Sequence, residues 1–260
     1  MSDLPGSLAD FGPAALAAVV VAGYLVVGEP MVGHVLHRRF EGRLRTDPGA
    51  RRSFYRRLLV LEWGLAVLAL IVWLSAPGVD AGAVGLQWPQ RWPGLLTSGV
   101  VLLVLFFVVA STRVLRSGAL LEAAEPARRP GEGRHAEPSG AATLALLPRT
   151  AAERRLFTLV GVTAGVCEEW LYRGFFLAVV AALAGGLPTG VLVLVAAVAF
   201  GLAHAYQGRV GIVTTGVLGG VMAAVYLDTG SLLLPVVLHA LIDLRFLLVP
   251  ARALPAGRTA

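Results

Sequence analysis

The chain has 260 residues, of which 57% are hydrophobic and only 15% charged, whereas a soluble domain is about 45–50% apolar and about 25% charged. So little polar surface cannot cover a water-soluble globule, and the composition places the chain in a membrane. The net charge of +6 comes from 22 basic residues against 16 acidic ones; every basic residue is arginine, which excludes a Ser/Lys dyad or a lysine Schiff base, and the single Cys167 excludes an intrachain disulfide.

A bilayer core about 30 Å thick is crossed by about 20 apolar residues in a helix. Runs near that length lie, in chain order, at Phe11 to Val35, Leu58 to Ser75, Leu95 to Ser111, Leu156 to Ala184, Val191 to Tyr206, Val210 to Leu227 and Leu232 to Val249. They predict an all-α fold, a polytopic transmembrane helical bundle of seven to eight spans. The Leu156 run is longer than one span requires, so it predicts a tilted helix or one that begins in the cytoplasm near Thr150. Asp3 and Asp10 precede the first run with no basic residue beside them. The charged n-region of a signal peptide is therefore not expected, and the first run is read as a span.

Arginines orient the bundle, because short cytoplasmic loops accumulate them. Arg38, Arg39, Arg43, Arg45, Arg51, Arg52, Arg56 and Arg57 crowd the first loop, whereas the second, Ala76 to Gly94, holds only Arg91. The third holds Arg113, Arg116, Arg128, Arg129, Arg134, Arg149, Arg154 and Arg155, and Arg209, Arg252 and Arg258 follow on the same side. This predicts a multi-pass protein of the cell membrane with its N-terminus outside and its C-terminus in the cytoplasm. The expected partners are the lipid bilayer and no nucleic acid.

The stretch Glu122 to Gly140 is rich in Pro, Gly, Glu and Arg, a composition that cannot bury enough apolar area to fold alone. It divides the chain into an N-terminal three-span region (1–121), a cytoplasmic linker (122–149), a four-span region (150–250) and a cytoplasmic tail (251–260). Trp88 and Trp92, between prolines, read as an outer interfacial anchor. Gly216, Gly219 and Gly220 read as a seam of close helix approach, and Cys167 as a buried packing residue.

Each charged side chain at the centre of a span costs roughly 2.5–3.5 kcal/mol on insertion scales, so the C-terminal half is conspicuous. It carries Glu168, Glu169 and Arg173 in one run, His204 in the next, Asp228 at an outer boundary, and His239 and Asp243 in the last. Glu169 and Arg173 are four apart and share a helix face as an ion pair. Glu168 is turned about 100° from Glu169, which predicts separate roles for the two carboxylates. His239 and Asp243 are also four apart, so the carboxylate can orient or charge the imidazole. Phe200 lies one turn before His204 and stacks over the same face.

Cys167-Glu168-Glu169-Trp170-Leu171-Tyr172-Arg173-Gly174 reads EExxxR followed by Gly, Phe200 to His204 reads FxxxH, and His239 to Asp243 reads HxxxD. In this order, on consecutive hydrophobic runs, they resemble the signature motifs of the CAAX prenyl protease and bacteriocin-processing family of intramembrane glutamate proteases. The resemblance covers about 100 residues, from Thr150 to Val249. It implies an endopeptidase acting near the cytoplasmic membrane face on a membrane-associated peptide or protein. Glu168 and His204 would activate water, Glu169 and Arg173 would form a supporting or substrate-orienting pair, and His239 with the final residue would stabilise the oxyanion. Many family members carry Asn at that final position, where this chain has Asp243. An ionised Asp243 accepts hydrogen bonds only, so its expected part is to hold His239 as a charged donor.

There is no HExxH helix, no GxSG segment and no Gly-Asp dipeptide, so other intramembrane protease signatures are missing. No cofactor is expected; the alternative is a zinc ion held by Glu168, His204, His239 and Asp243. Two other readings compete. A proton-coupled transporter would use the same residues as a relay, with Glu29 and Glu62 as the only additions from the first half. A catalytically idle scaffold or immunity protein would keep the fold without the chemistry.

Overall fold

The computed structural model describes residues 4–44, 46–117 and 145–250. The 251–260 tail, most of the 122–149 linker, and Arg45, Arg128, Arg129, Arg134, His135, Arg252 and Arg258 lie outside the described residues. All regular structure among the described residues is helical: α1 (Ala15–Gly23), α2 (Glu29–Arg43), α3 (Ala50–Leu74), α4 (Leu95–Arg116), α5 (Ala151–Glu169), α6 (Leu177–Ala184), α7 (Thr189–Ala203), α8 (Gly208–Thr229) and α9 (Leu233–Leu244).

Two π-helical segments join helices into longer rods. Tyr24–Gly28 links α1 to α2, and Trp170–Phe176 links α5 to α6. The second rod explains the length of the Leu156 run. It begins at Thr150, whose hydroxyl accepts the N–H of Glu153 at 3.2 Å while Glu153 Oε2 accepts the N–H of Thr150 at 2.9 Å, a reciprocal cap that fixes the start. It ends where Gly185 turns at φ +52°, a conformation suited to glycine. Such π segments locally widen the helix and favour functional sites. The two are tied to each other, since the Tyr172 hydroxyl donates to the carbonyl of Leu25 at 3.3 Å.

Four helical segments are long and apolar enough to cross a bilayer: Leu8–Arg43, Ala50–Leu74, Thr97–Arg116 and Ala205–Thr229. The other three apolar runs are helical as well, but α7 has 15 residues and α9 has 12, spans of only about 22 Å and 18 Å at 1.5 Å per residue. The rod from α5 to α6 carries Glu153, Arg154, Arg155, Glu168, Glu169 and Arg173, too many charges for a purely apolar span. Leu16, Val60, Leu102, Leu103, Phe106, Val213 and Val217 are exposed and form the apolar exterior expected where lipid replaces water.

α5 is the central packing element, gripped by α3 and α9. Trp63 donates its indole N–H to Thr163 Oγ1 at 3.1 Å, and Trp170 donates to the carbonyl of Ala66 at 3.0 Å, so two indoles clamp α3 to α5. Glycine lets the other pairs approach. A Cβ on Gly165 would lie 3.1 Å from the backbone of Ala240 and Val236 in α9, and one on Gly201 would lie 2.6 Å from the carbonyl of Ile212 in α8. In the seam itself, a Cβ on Gly216 would lie 3.1 Å from the carbonyl of Ala197 and one on Gly220 3.2 Å from the Ala197 side chain, so it is a site of close helix approach. Gly201→Leu is expected to destabilise the protein by about 1–3 kcal/mol through overpacking, visible as a lowered melting temperature in detergent.

Both ends of the bundle are sewn by polar contacts. On the side of Trp88 and Trp92, both exposed, Asp228 accepts the N–H of Gly94 at 3.2 Å and the hydroxyl of Thr97 at 2.5 Å. Its charge thus caps the start of α4. On the arginine-rich side, Arg51 Nε donates to the carbonyl of Ala145 at 3.0 Å, Tyr55 donates to that of Leu146, and Arg154 to that of Leu247. Phe40 and Phe54 stack with centroids 4.4 Å apart beneath them.

Candidate active site

The three polar faces singled out in the sequence converge on one cavity of about 490 Å³, lined among others by Glu168, Glu169, Arg173, Phe200, His204, His239 and Asp243. Its construction begins with the end of α5. Glu169 and Arg173 flank the start of the π segment, both with fully buried side chains, and pair at 3.1 Å between Oε1 and Nη1. Arg173 also donates through Nη2 to the carbonyl of Gly219 at 3.1 Å. That carbonyl is within reach because Gly219 lets α8 approach: a Cβ there would fall 2.9 Å from the Phe200 side chain.

Phe200 is the hub of the site. The Arg173 guanidinium lies 4.2 Å from its ring centroid, a cation–π contact. The His204 ring stands 4.7 Å away, and the His239 ring meets it edge-on at 5.9 Å. Phe200 thus spaces the two imidazoles while its face offsets part of the cost of burying Arg173. His204 itself is the residue at which α7 ends, and its Nδ1 bonds the carbonyl of Phe200 at 2.9 Å. A carbonyl can only accept, so Nδ1 carries the proton and Nε2 is the acceptor of the neutral ring.

His239 has a different anchor from the one its spacing suggests. Its Nδ1 bonds Glu169 Oε1 at 2.6 Å, while Asp243 Oδ2 lies 3.8 Å from Nε2. The four-residue pairing brings Asp243 to ion-pair distance but not to hydrogen-bond distance, and the orienting carboxylate is Glu169. The physical reason is the close packing of α5 on α9 at Gly165, which delivers a fully buried carboxylate to the ring's other edge. Glu168 Oε2 lies 3.9 Å from His239 Nε2. The two adjacent glutamates, turned apart on the helix, therefore meet one partner at its two nitrogens. Glu168 Oε2 and Glu169 Oε2 are buried without a hydrogen-bond partner.

The chain Arg173–Glu169–His239 is thus a fixed relay in which a buried carboxylate, neutralised on one side, sets the tautomer and orientation of an imidazole on the other. It leaves His239 Nε2, Glu168 Oε2, Asp243 Oδ2 and the ring of His204 around the open part of the cavity. His239 Nδ1 is committed to Glu169, and among the described residues no three of His, Cys, Asp and Glu are arranged to hold a metal ion.

Several cavity residues escaped the sequence reasoning. Arg245 lines it from the turn after α9, donating to the carbonyl of Ile242 and lying 4.2 Å from the Phe246 ring; it was hidden because it follows an apolar run like any loop arginine. His37, in the first half, is buried, bonds Glu41 through Nε2 at 3.2 Å and stacks on Tyr206 at 4.8 Å. Glu29 and Glu62, which the sequence offered only as members of a transporter relay, also line the cavity, so the first half of the chain forms one of its walls. Cys167 is fully buried, as its reading as a packing residue requires.

The family model described as Type II CAAX prenyl endopeptidase Rce1-like matches residues 151–245. No curated protein and no solved structure matches the chain. The matched segment begins with α5 and closes just after α9, so it contains every motif residue from Glu168 to Asp243. Residues 151–245 are therefore similar to an Rce1-like domain, a match that supports the resemblance of this segment to the CAAX prenyl protease and bacteriocin-processing family.

Proposed function

We propose that the protein is an intramembrane glutamate-type endopeptidase that hydrolyses a peptide bond near the cytoplasmic membrane face. The observation that carries this reading is the buried Arg173–Glu169–His239 relay facing Glu168 across one imidazole. Glu168 takes a proton from water while His204 Nε2 positions that water, and the oxygen attacks the scissile carbonyl carbon. The oxyanion receives an N–H from His239 Nε2, with the ring held as a cation by Glu169 and, at longer range, by Glu168 and Asp243. The C–N bond then breaks as Glu168 returns the proton to the leaving nitrogen. Phe200 holds the two imidazoles apart.

Peptide hydrolysis needs water, which a polar cavity between helices supplies while lipid covers the exterior. The reaction is read as metal-independent, with Glu168 rather than a metal ion activating the water. We further propose seven spans, with α7 and α9 as short spans at the cavity, the N-terminus outside and the C-terminus in the cytoplasm. The three-span region 1–121, the linker 122–149 and the tail 251–260 would then flank the catalytic region 150–250. The substrate is a membrane-associated peptide or protein. In membranes expressing the wild type, mass spectrometry of protein termini is expected to show new ends that vanish with Glu168→Gln; identical termini in both would refute the reading.

A further inference from the structure

The cavity carries more carboxyl groups than the relay uses. Glu62 projects from α3 beside the two indole clamps, one residue before Trp63 and one turn before Ala66, so two rigid helices fix its place on the wall shared with Ala164 and Glu168. Its Oε2 is sealed from solvent and has no hydrogen-bond partner. Glu29, at the start of α2, lines the same cavity. Among the described residues neither carboxylate has an arginine or histidine within ion-pair distance.

The cavity's own cations are committed elsewhere. Arg173 serves Glu169 and the Gly219 carbonyl, Arg245 serves the Ile242 carbonyl and the rings of Phe107 and Phe246, and His37 pairs with Glu41. A buried carboxylate without a partner is costly in its charged form, and an arriving counter-charge relieves that cost. We propose that Glu62, with Glu29 beside it, is the specificity wall of the hydrolytic site and takes the cationic side chain of a lysine or arginine in the substrate. A long basic side chain suits this position, because its aliphatic stem follows the apolar surface of Leu58 and Leu65 while its head reaches the carboxylate. The first half of the chain thereby selects the substrate that the second half cuts.

This inference rests on the peptidase reading, so binding and cleavage are measured separately on the full-length protein in detergent. The probes are labelled peptides of one apolar sequence, with Arg, Lys, Gln or Glu placed at each position in turn. At one position Arg and Lys are expected to bind at least about tenfold more tightly than Gln, with Glu weakest. Glu62→Gln is expected to bring the Arg-to-Gln ratio to near parity, while Glu62→Asp, which keeps the charge, retains part of it and shows that the fold is intact. Equal binding of Arg and Gln peptides by the wild type, or an undiminished ratio in Glu62→Gln, overturns the proposal. A basic preference without any cleavage would uphold cationic recognition and count against the peptidase reading; cleavage without that preference would do the reverse.

Discussion

Arg173→Met is expected to be the most damaging single change, costing about 3–5 kcal/mol because it strips the buried carboxylate of Glu169 of its fully buried guanidinium partner and leaves it with His239 alone. The methionine fills much of the volume and keeps an apolar contact with Phe200, so packing loss is kept small. What goes is the 3.1 Å ion pair and the bond to the Gly219 carbonyl. The control is Glu169→Gln in the same chain, since removing both charges removes the isolated one. Thermal melts in detergent should place the double variant above Arg173→Met, with both below the wild type. If Arg173→Met melts with the wild type, the pair does not hold α5 against α8.

The second large effect separates two carboxylates that the sequence alone leaves equivalent. Glu169→Gln, which weakens the 2.6 Å bond that orients His239, is expected to lower kcat by about 10²-fold or more, since loss of the buried carboxylate removes the charge that holds the imidazole as an oriented cation. Asp243→Asn, at 3.8 Å from the same ring, is expected to cost less than about tenfold. Peptide turnover by the two purified variants checks the order. The reverse order would make Asp243 the orienting group and Glu169 a packing charge.

Much of the architecture is legible in the chain because lipid imposes a simple rule: long apolar runs become helices, and costly charges inside them signal a site. Thr150 as a helix start and the glycine seam of α8 follow from short-range patterns, and the convergence of Glu168, His204 and His239 follows from the resemblance of the three motifs. The partner of His239 does not. Spacing of four residues reports only neighbours on one helix, and the Glu169–His239 bond joins residues 70 apart through the packing of Gly165 on Val236 and Ala240. The span count is blurred for a related reason. α7 stops at His204 and α9 is short where the cavity opens, so helices near the site trade length for access. Glu62 was visible as a lone charge in an apolar run, but only the Trp63 and Trp170 clamps beside it, which fix α3 against α5, give it a place on the cavity wall.

Glu168 is proposed to activate water in a metal-independent hydrolysis. This role is tested most directly by cleavage of a membrane-associated peptide by the purified protein in detergent with excess chelator, comparing the wild type with Glu168→Ala and Cys167→Ala. The account predicts that the wild type and Cys167→Ala cut the peptide in chelator, and that Glu168→Ala is slower by about 10²–10⁴-fold, the range for loss of a general base. Undiminished cleavage by Glu168→Ala, or activity that chelator abolishes and added zinc restores, would contradict it.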